Sequence, residues 1–439
     1  NTTTTKKSSK LSSFLWWMAI FMLAWWLFSI WFGPDKKTEV VTPQTTVSEN
    51  ISNVPVSAVE AEKITAAVQG LRISKIELSN YVADKKSGTD TNVTLFGNDD
   101  EYTEIGMLAS GTTAPTAATV WKNIGNSSYT WTNSDKIKFT RTITVNDYVI
   151  TVRDEIVNNS GRDVTFAPYA RMVRSGEEKN VTVATGGVAY ANNDIERESW
   201  NRLNKKSYAF QTTNGFIGFA DQYWQTAVSI GSPDQTMLMK KQGELYHADA
   251  AAKPVNIANG KTSTIETKIF AGPREQKILN AAAESIPGLN KTMDYGWFFF
   301  LSRPMLWALN ALHGLVLNYG LAIILLTLAL RLLMWPLTRK SYTSMAAMQK
   351  MQPELARIQK TYANDKARQQ MEMMKLSQTH KTSPMSGCLP MLIQIPIFFA
   401  FYTALLISVP MRMASFLWVP DLSLMDPYFI LPVLRGATM

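Results

Sequence analysis

The stretch "LTLALRLLMWPLTRK", Leu326 to Lys340, is apolar enough for a membrane interior and yet carries Arg331 near its middle. A guanidinium at the centre of a spanning helix costs about 2.5–3.5 kcal/mol on insertion scales. The surrounding block, Gly314 to Leu337, has Arg331 as its single charge. Two explanations compete. Arg331 lies eight residues before Arg339, so it stands about 12 Å from the cytoplasmic edge at 1.5 Å per residue. A long side chain covers much of that distance towards the headgroups. Alternatively the charge faces a hydrated pocket, and Thr327, one turn deeper at i−4 on the same face, favours polarity there.

Other apolar blocks give this one a context. Phe14 to Gly33, "FLWWMAIFMLAWWLFSIWFG", has no charge and the roughly 20 residues that cross a bilayer. It carries five tryptophans and no Ala-x-Ala site, which points to an uncleaved anchor at 14–33 rather than a secretory signal. Lys6, Lys7 and Lys10 precede it, so residues 1–13 are expected in the cytoplasm. A further uncharged block spans Cys388 to Val409, "CLPMLIQIPIFFAFYTALLISV". Gln394 stands in it between Pro390 and Pro396, and intramembrane polar groups normally face protein or water rather than lipid. The last block, 428–439, is too short to cross, and the chain starts with Asn; a fragment ending inside a membrane segment is expected.

Charge orients these spans. Between Arg339 and Lys381 stand nine Lys/Arg and three Asp/Glu, a net +6; between Asp35 and Asn290 the counts are 27 and 29, a net −2. The basic segment is the short loop, so it faces the cytoplasm, and the near-neutral segment is exported. The overall charge of +9 is then a topology signal rather than a sign of DNA binding. Residues 339–384 read as a helical hairpin, with Met345, Met348, Gln352, Leu355, Ile358 and Tyr362 at helical spacing. "YANDK" supplies its turn, with Asn364 or Asp365 able to cap the second arm. Met371, Met373 and Met374 in that arm suit either packing between the arms or contact with varied apolar partners. Residues 297–313 read as an interfacial helix on the outer leaflet, with Ser302, Arg303, Asn310 and His313 on one polar arc, or else as a helix packed under the β domain.

The exported part divides into a linker at 34–60 and a β domain at 61–290. "KIKFTRTITV" (Lys136 to Val145) alternates apolar and polar residues, and "YVITVRDEIVNNSGRDVTFAPYARMVRS" repeats the pattern across an Asn-Ser-Gly turn. Such alternation indicates antiparallel strands in a sandwich or barrel. One cysteine, Cys388, excludes an internal disulfide framework, and three scattered histidines show no metal-ligand spacing. No Ser/His/Asp grouping, paired-carboxylate motif or phosphate loop points to an enzyme, a metal or a cofactor.

"RLLMWPLTRKSYTSMAAMQKMQPEL", "CLPMLIQIPIFFAFYTAL" and "DLSLMDPYFILP" closely resemble the YidC family of membrane-protein insertases. "DYGWFFFLSRP" after "IFAGPREQ" resembles the junction between periplasmic domain and membrane core in its Gram-negative members. The resemblance implies an α-helical transmembrane core, a large periplasmic all-β supersandwich-like domain and a mobile cytoplasmic helical hairpin. It implies residence in the bacterial inner membrane as a multi-pass protein, and nascent membrane proteins, the Sec translocon, the ribosome and the signal-recognition-particle receptor as partners. Arg331 occupies the position of an arginine lining a hydrophilic groove open to cytoplasm and lipid; Thr327 and Gln394 match other groove positions. Cys388, Pro390 and Pro396 are signature positions nearby. The family core has five spans, and the later ones are not in this sequence, so it would build only part of the groove. Two rival readings are a transporter, which needs several charged spans, and a membrane-anchored periplasmic carbohydrate-binding or carbohydrate-active protein, which leaves the basic hairpin unexplained.

Overall fold

The computed structural model describes residues 51, 53–83, 91–176, 185–363, 365–379 and 389–438. The block at 14–33, Asn364 and Cys388 lie outside these residues. The first strands are β1 (Val56–Glu60), β2 (Ile64–Gln69), β3 (Arg72–Val82), β4 (Asn92–Leu95), β5 (Tyr102–Ser110), β6 (Lys122–Gly125) and β7 (Ser128–Thr132). Then come β8 (Ile137–Asn146), β9 (Val149–Asn158), β10 (Val164–Ser175), β11 (Gly186–Ala191), β12 (Asp194–Ser199) and β13 (Tyr208–Thr212). The series ends with β14 (Phe216–Ala220), β15 (Trp224–Ile230), β16 (Gln235–Gln242), β17 (Leu245–Ala252), β18 (Val255–Ile257) and β19 (Thr262–Pro273).

These strands form two antiparallel sheets. A ten-stranded sheet runs β1-β2-β3-β5-β10-β17-β16-β13, with β4 beside β3 and β18 beside β10. A nine-stranded sheet runs β12-β11-β14-β15-β19-β9-β8-β7-β6. Strand β8 shows why the sequence folds this way. Its alternation buries Ile137, Phe139, Arg141 and Ile143 and turns Lys138 and Thr144 outward, as period-two geometry requires. The buried faces meet in one core; Phe139 of one sheet stands edge-on to Phe166 of the other at 5.6 Å. Each such ring contributes about 1.5–3 kcal/mol through burial. The expected sandwich is therefore present.

The outer face of the ten-stranded sheet carries a row of alternating charges. Arg72, Glu104, Arg171 and Asp249 are in register across β3, β5, β10 and β17. Arg72 Nε donates to Glu104 at 2.8 Å and Arg171 Nε to Asp249 at 2.8 Å. Each carboxylate is thus held by a guanidinium, and the row satisfies itself electrostatically. His247 shares this face, and burial above all lowers its pKa to about 4, with Arg171 and Lys240 acting in the same sense against Asp249. The folded state then binds fewer protons than the unfolded one between pH 6.5 and 4. Stability is present above the unfolded pKa and is lost as pH falls through that window. Thermal or urea unfolding is expected to show a loss of about 1–2 kcal/mol between pH 7 and 5 from this group. His247→Gln should flatten the slope by that amount; an unchanged slope would remove His247 from the acid response.

Helices follow the β domain. A single turn, α1 (Trp200–Leu203), lies within it, and α2 (Gln276–Ala283) leads out. Beyond are α3 (Phe299–Val316), α4 (Tyr319–Thr361), α5 (Lys366–Thr379), α6 (Leu389–Leu406) and α7 (Ile430–Ala437). Among the described residues one stretch, Tyr319–Arg339 of α4, is long and apolar enough to cross a membrane; Gln394–Leu406 of α6 is apolar but shorter. Helix α4 does not stop at the basic segment. It continues unbroken to Thr361, so the span and the first hairpin arm are one helix. Its stripe past the span is Met351, buried, with Leu355, Ile358 and Tyr362 half-buried, while Gln352 is exposed. Asp365 accepts from the Arg368 amide at 3.0 Å and caps α5. Met371 and Met374 are exposed.

Helix α3 differs from the expected polar arc. Ser302 is buried with Met305, Leu306 and Leu309, and His313 stacks on Tyr319 at 3.8 Å. Packing on α4 and α6 claims part of the polar arc, and Phe299, Phe300 and Trp307 are left exposed instead. Local amphipathicity yields here to tertiary contact.

Candidate functional site

Helix α4 positions Arg331. Leu317 adopts φ +54°, which ends α3, and Asn318 caps the next helix by accepting from the Leu321 amide at 3.1 Å. Tyr319, Ala322 and Leu326 are buried against Leu309 and Met411. Leu330 is half-buried, and the next buried side chain described along α4 is Met351. Tight packing of the helix therefore ends near Leu326, and Leu330, just before Arg331, still touches both apolar clusters.

Arg331 and Thr327 are both exposed and stand about 40° apart around the helix at 100° per residue. Both lie off the face that Tyr319, Ala322 and Leu326 pack, and Leu325, Leu328 and Leu332 are exposed as well. Among the described residues Arg331 makes no hydrogen bond or ion pair with protein groups. The Thr327 hydroxyl donates to the Ile323 carbonyl at 2.7 Å, and Thr338 donates to Met334 at 2.8 Å. Pro336 lies inside the helix; lacking an N–H, it leaves the Leu332 carbonyl without its helical donor. Two threonines and a released carbonyl thus lie within about two turns of the cation along α4. The sequence reading missed Pro336 and Thr338, although the missing amide is legible in any proline at i+4 from a membrane residue.

Gln394 is exposed on α6, two residues before Pro396, which is interior to the helix. Pro396 releases the Leu392 carbonyl in the same way. Pro390 falls in the first turn of α6, where a proline is tolerated. Among the described residues no hydrogen bond joins Gln394 to Thr327 or Arg331. The structure brings Thr327 and Arg331 onto one stripe and leaves Gln394 on a separate helix.

At the opposite end of these helices the chain after α6 packs back on α4 and on the β domain. A Cβ on Gly320 would meet the Phe416 ring at 2.1 Å, so the segment after α6 lies directly on the α4 backbone. Arg412 donates to the Val82 and Ala83 carbonyls at 2.7 and 2.5 Å and sits over the Trp224 ring. Gln222 donates to the Leu406 carbonyl at 3.0 Å. These bonds tie the end of β3 and the turn before β15 to the end of α6. Nothing in the sequence announces them, because the partners lie more than three hundred positions apart for Arg412.

Residues 58–308 match the family model described as YidC periplasmic domain, and residues 311–439 match that of the 60Kd inner membrane protein. The chain belongs to the YidC family. A Membrane protein insertase YidC from Magnetococcus marinus is 36% identical over 362 residues, covering 77% of this chain and 65% of the relative. One from Rickettsia typhi is 32% identical over 428 residues, covering 89% of this chain and 76% of the relative. The chain thus spans about two thirds to three quarters of these two relatives' length. A galactose mutarotase-like protein from Lactobacillus casei aligns with 49% of this chain and 100% of its own at 10% identity and a TM-score of 0.35, too slight a likeness to bear on activity. Within the YidC family, the β sandwich is the periplasmic domain and the helical region is the inner-membrane part.

Proposed function

We propose that this sequence serves a membrane-protein insertase and chaperone, which helps nascent inner-membrane proteins insert and fold, alone or with the Sec translocon. The observation that carries the reading is the asymmetry of α4, packed from Tyr319 to Leu326 and unpacked at Arg331. A cation just beyond the point where tight packing ends supports a hydrophilic groove, closed outside by the Phe416 segment and open to cytoplasm and lipid. Water held by Arg331, Thr327 and the released carbonyls would give an incoming hydrophilic segment partial hydration, which lowers its barrier to crossing. Acidic groups on that segment would gain attraction to the guanidinium, while the substrate's apolar helix slides along the exposed leucines into the bilayer. No nucleotide is needed in such a scheme.

Orientation follows from the same reading: N-terminus in the cytoplasm, β domain in the periplasm, and 14–33, 314–338 and 388–409 as spans. The basic hairpin at 339–384 would meet the ribosome and the signal-recognition-particle receptor. Gln394 would face the groove from α6, with Cys388, Pro390 and Pro396 as signature positions near the groove. Photocrosslinkers at Thr327, Gln394 and Leu328 test the assignment in the full-length protein with a stalled nascent inner-membrane protein. Thr327 and Gln394 should capture the hydrophilic segment and Leu328 the apolar one. Equal capture of both segments from all three positions would end the groove model.

A further inference from the structure

A second polar site lies in the β domain, beside the chain that leads into α3. Arg197, Arg202, Arg274, Glu198, Ser199 and Thr292 line a cavity of about 300 Å³ between β11, β12 and the exit segment. Three guanidinium groups and one carboxylate give this lining a formal excess of two positive charges. Arg274 is 3% exposed, and its Nη1 and Nη2 donate to the Asp221 and Thr292 carbonyls at 2.6 and 3.0 Å. Asp221 gives its carboxylate to Arg174 instead, at 2.6 Å. Arg197 also donates to the Lys291 and Thr292 carbonyls, at 3.1 and 3.3 Å. Arg202 approaches Glu198 at 3.4 Å. Arg197 is positioned by neutral carbonyls, which orient a guanidinium without cancelling its charge.

Position adds to the chemistry. Gln222, next to Asp221, bonds the end of α6, and Thr292 lies seven residues before the start of α3 with its exposed Phe299, Phe300 and Trp307. Aromatic residues of this kind gather at the headgroup level of a bilayer. We infer that this cavity binds a phosphate group, the oxyanion that a fork of guanidinium donors fits best. At this height its source is the headgroup of an anionic phospholipid in the adjacent leaflet, and free phosphate is the other source of the same chemistry. The cavity has room for a phosphate that keeps part of its hydration. A bound headgroup would hold the exit segment at the membrane surface, beside the clamp formed by Gln222 and Arg412.

The test uses the full chain in mild detergent. Native mass spectrometry would follow retention of phosphatidylglycerol against phosphatidylcholine, and thermal unfolding would be followed during titration with inorganic phosphate. Arg197→Gln combined with Arg202→Gln leaves the buried Arg274 in place and protects the fold. Lys360→Gln with Lys366→Gln removes the same charge from the cytoplasmic hairpin as a control. The wild type and the control should prefer phosphatidylglycerol, and the arginine double variant should lose about tenfold or more of that preference. Stabilisation by inorganic phosphate that disappears in the double variant supports the site with a free anion as its ligand. Lipid preference without phosphate stabilisation identifies the headgroup. A double variant that behaves as wild type in both measurements, or a control that loses as much as it does, overturns the proposal.

Discussion

Arg331→Ala in the full-length protein is expected to reduce insertion of substrates with an acidic exported segment by about tenfold or more, and of neutral ones far less. Two unit charges 4 Å apart attract by about 4 kcal/mol at an effective dielectric of 20, and roughly 1.4 kcal/mol already gives a factor of ten. Most of the attraction survives only where water is scarce. Arg331, beyond the last tightly packed turn of α4 and flanked by apolar side chains, keeps part of it in the proposed groove, which is only partly hydrated. Arg331→Lys should restore part of the activity, since it keeps the charge and loses the planar fork. Arg331→Leu separates function from folding. It relieves the cost of a charge within the span, so the amount of inserted protein should stay level or rise while activity falls. Complementation of a depleted strain together with protease protection of labelled substrates measures both. Normal insertion of every substrate by Arg331→Ala would take the arginine out of the mechanism.

The residues that carried most of the fold were those with strong local periodicity. "KIKFTRTITV" could only bury Phe139 and Ile143 on one face, and β8 does so. The uninterrupted apolar run around Leu326 likewise made a helix unavoidable, and "YANDK" placed the turn that Asp365 caps. The reading was less successful where long-range packing decides. Ser302 and His313 look like a water-facing arc in isolation and are drawn inward by α4 and α6. The continuity of α4 through Pro336 and Pro353 was also hidden, because a proline inside a helical pattern equally well marks an end. Of the proposed groove residues, Arg331 and Thr327 were visible as polar exceptions one turn apart. The Arg197, Arg202 and Arg274 cavity was not, since a cluster drawn from β12, α1 and the end of β19 has no sequence spacing at all.

Asp154→Ala is expected to destabilise the β domain by about 3–5 kcal/mol, the largest single effect on its stability considered for this chain. Arg141 donates from Nε and Nη2 to the two carboxylate oxygens of Asp154 at 2.7 and 2.8 Å, and from Nη2 to the Ile105 carbonyl at 2.8 Å. Asp154 is on β9 beside β8, while Ile105 belongs to β5 of the opposite sheet. One guanidinium therefore pins the sandwich across its core, with the side chains 4% and 7% exposed. Removing the carboxylate strands a charge buried between the sheets. At roughly 2–4 °C per kcal/mol for a domain of this size, the melting temperature should fall by about 6–20 °C. Arg141→Met with Asp154→Leu removes both charges and should recover most of the loss. Glu244→Ala breaks an ion pair to Lys241 in which the glutamate is 96% exposed, and it should change stability by less than about 0.5 kcal/mol. Calorimetry of the full chain decides among these. A drop for Asp154→Ala no greater than for Glu244→Ala would mean that the sheets are held by apolar packing alone. Below its lowered melting temperature the Asp154 variant should still insert substrates, because Arg331 stands on α4, outside the two sheets that the Arg141–Asp154 pair joins.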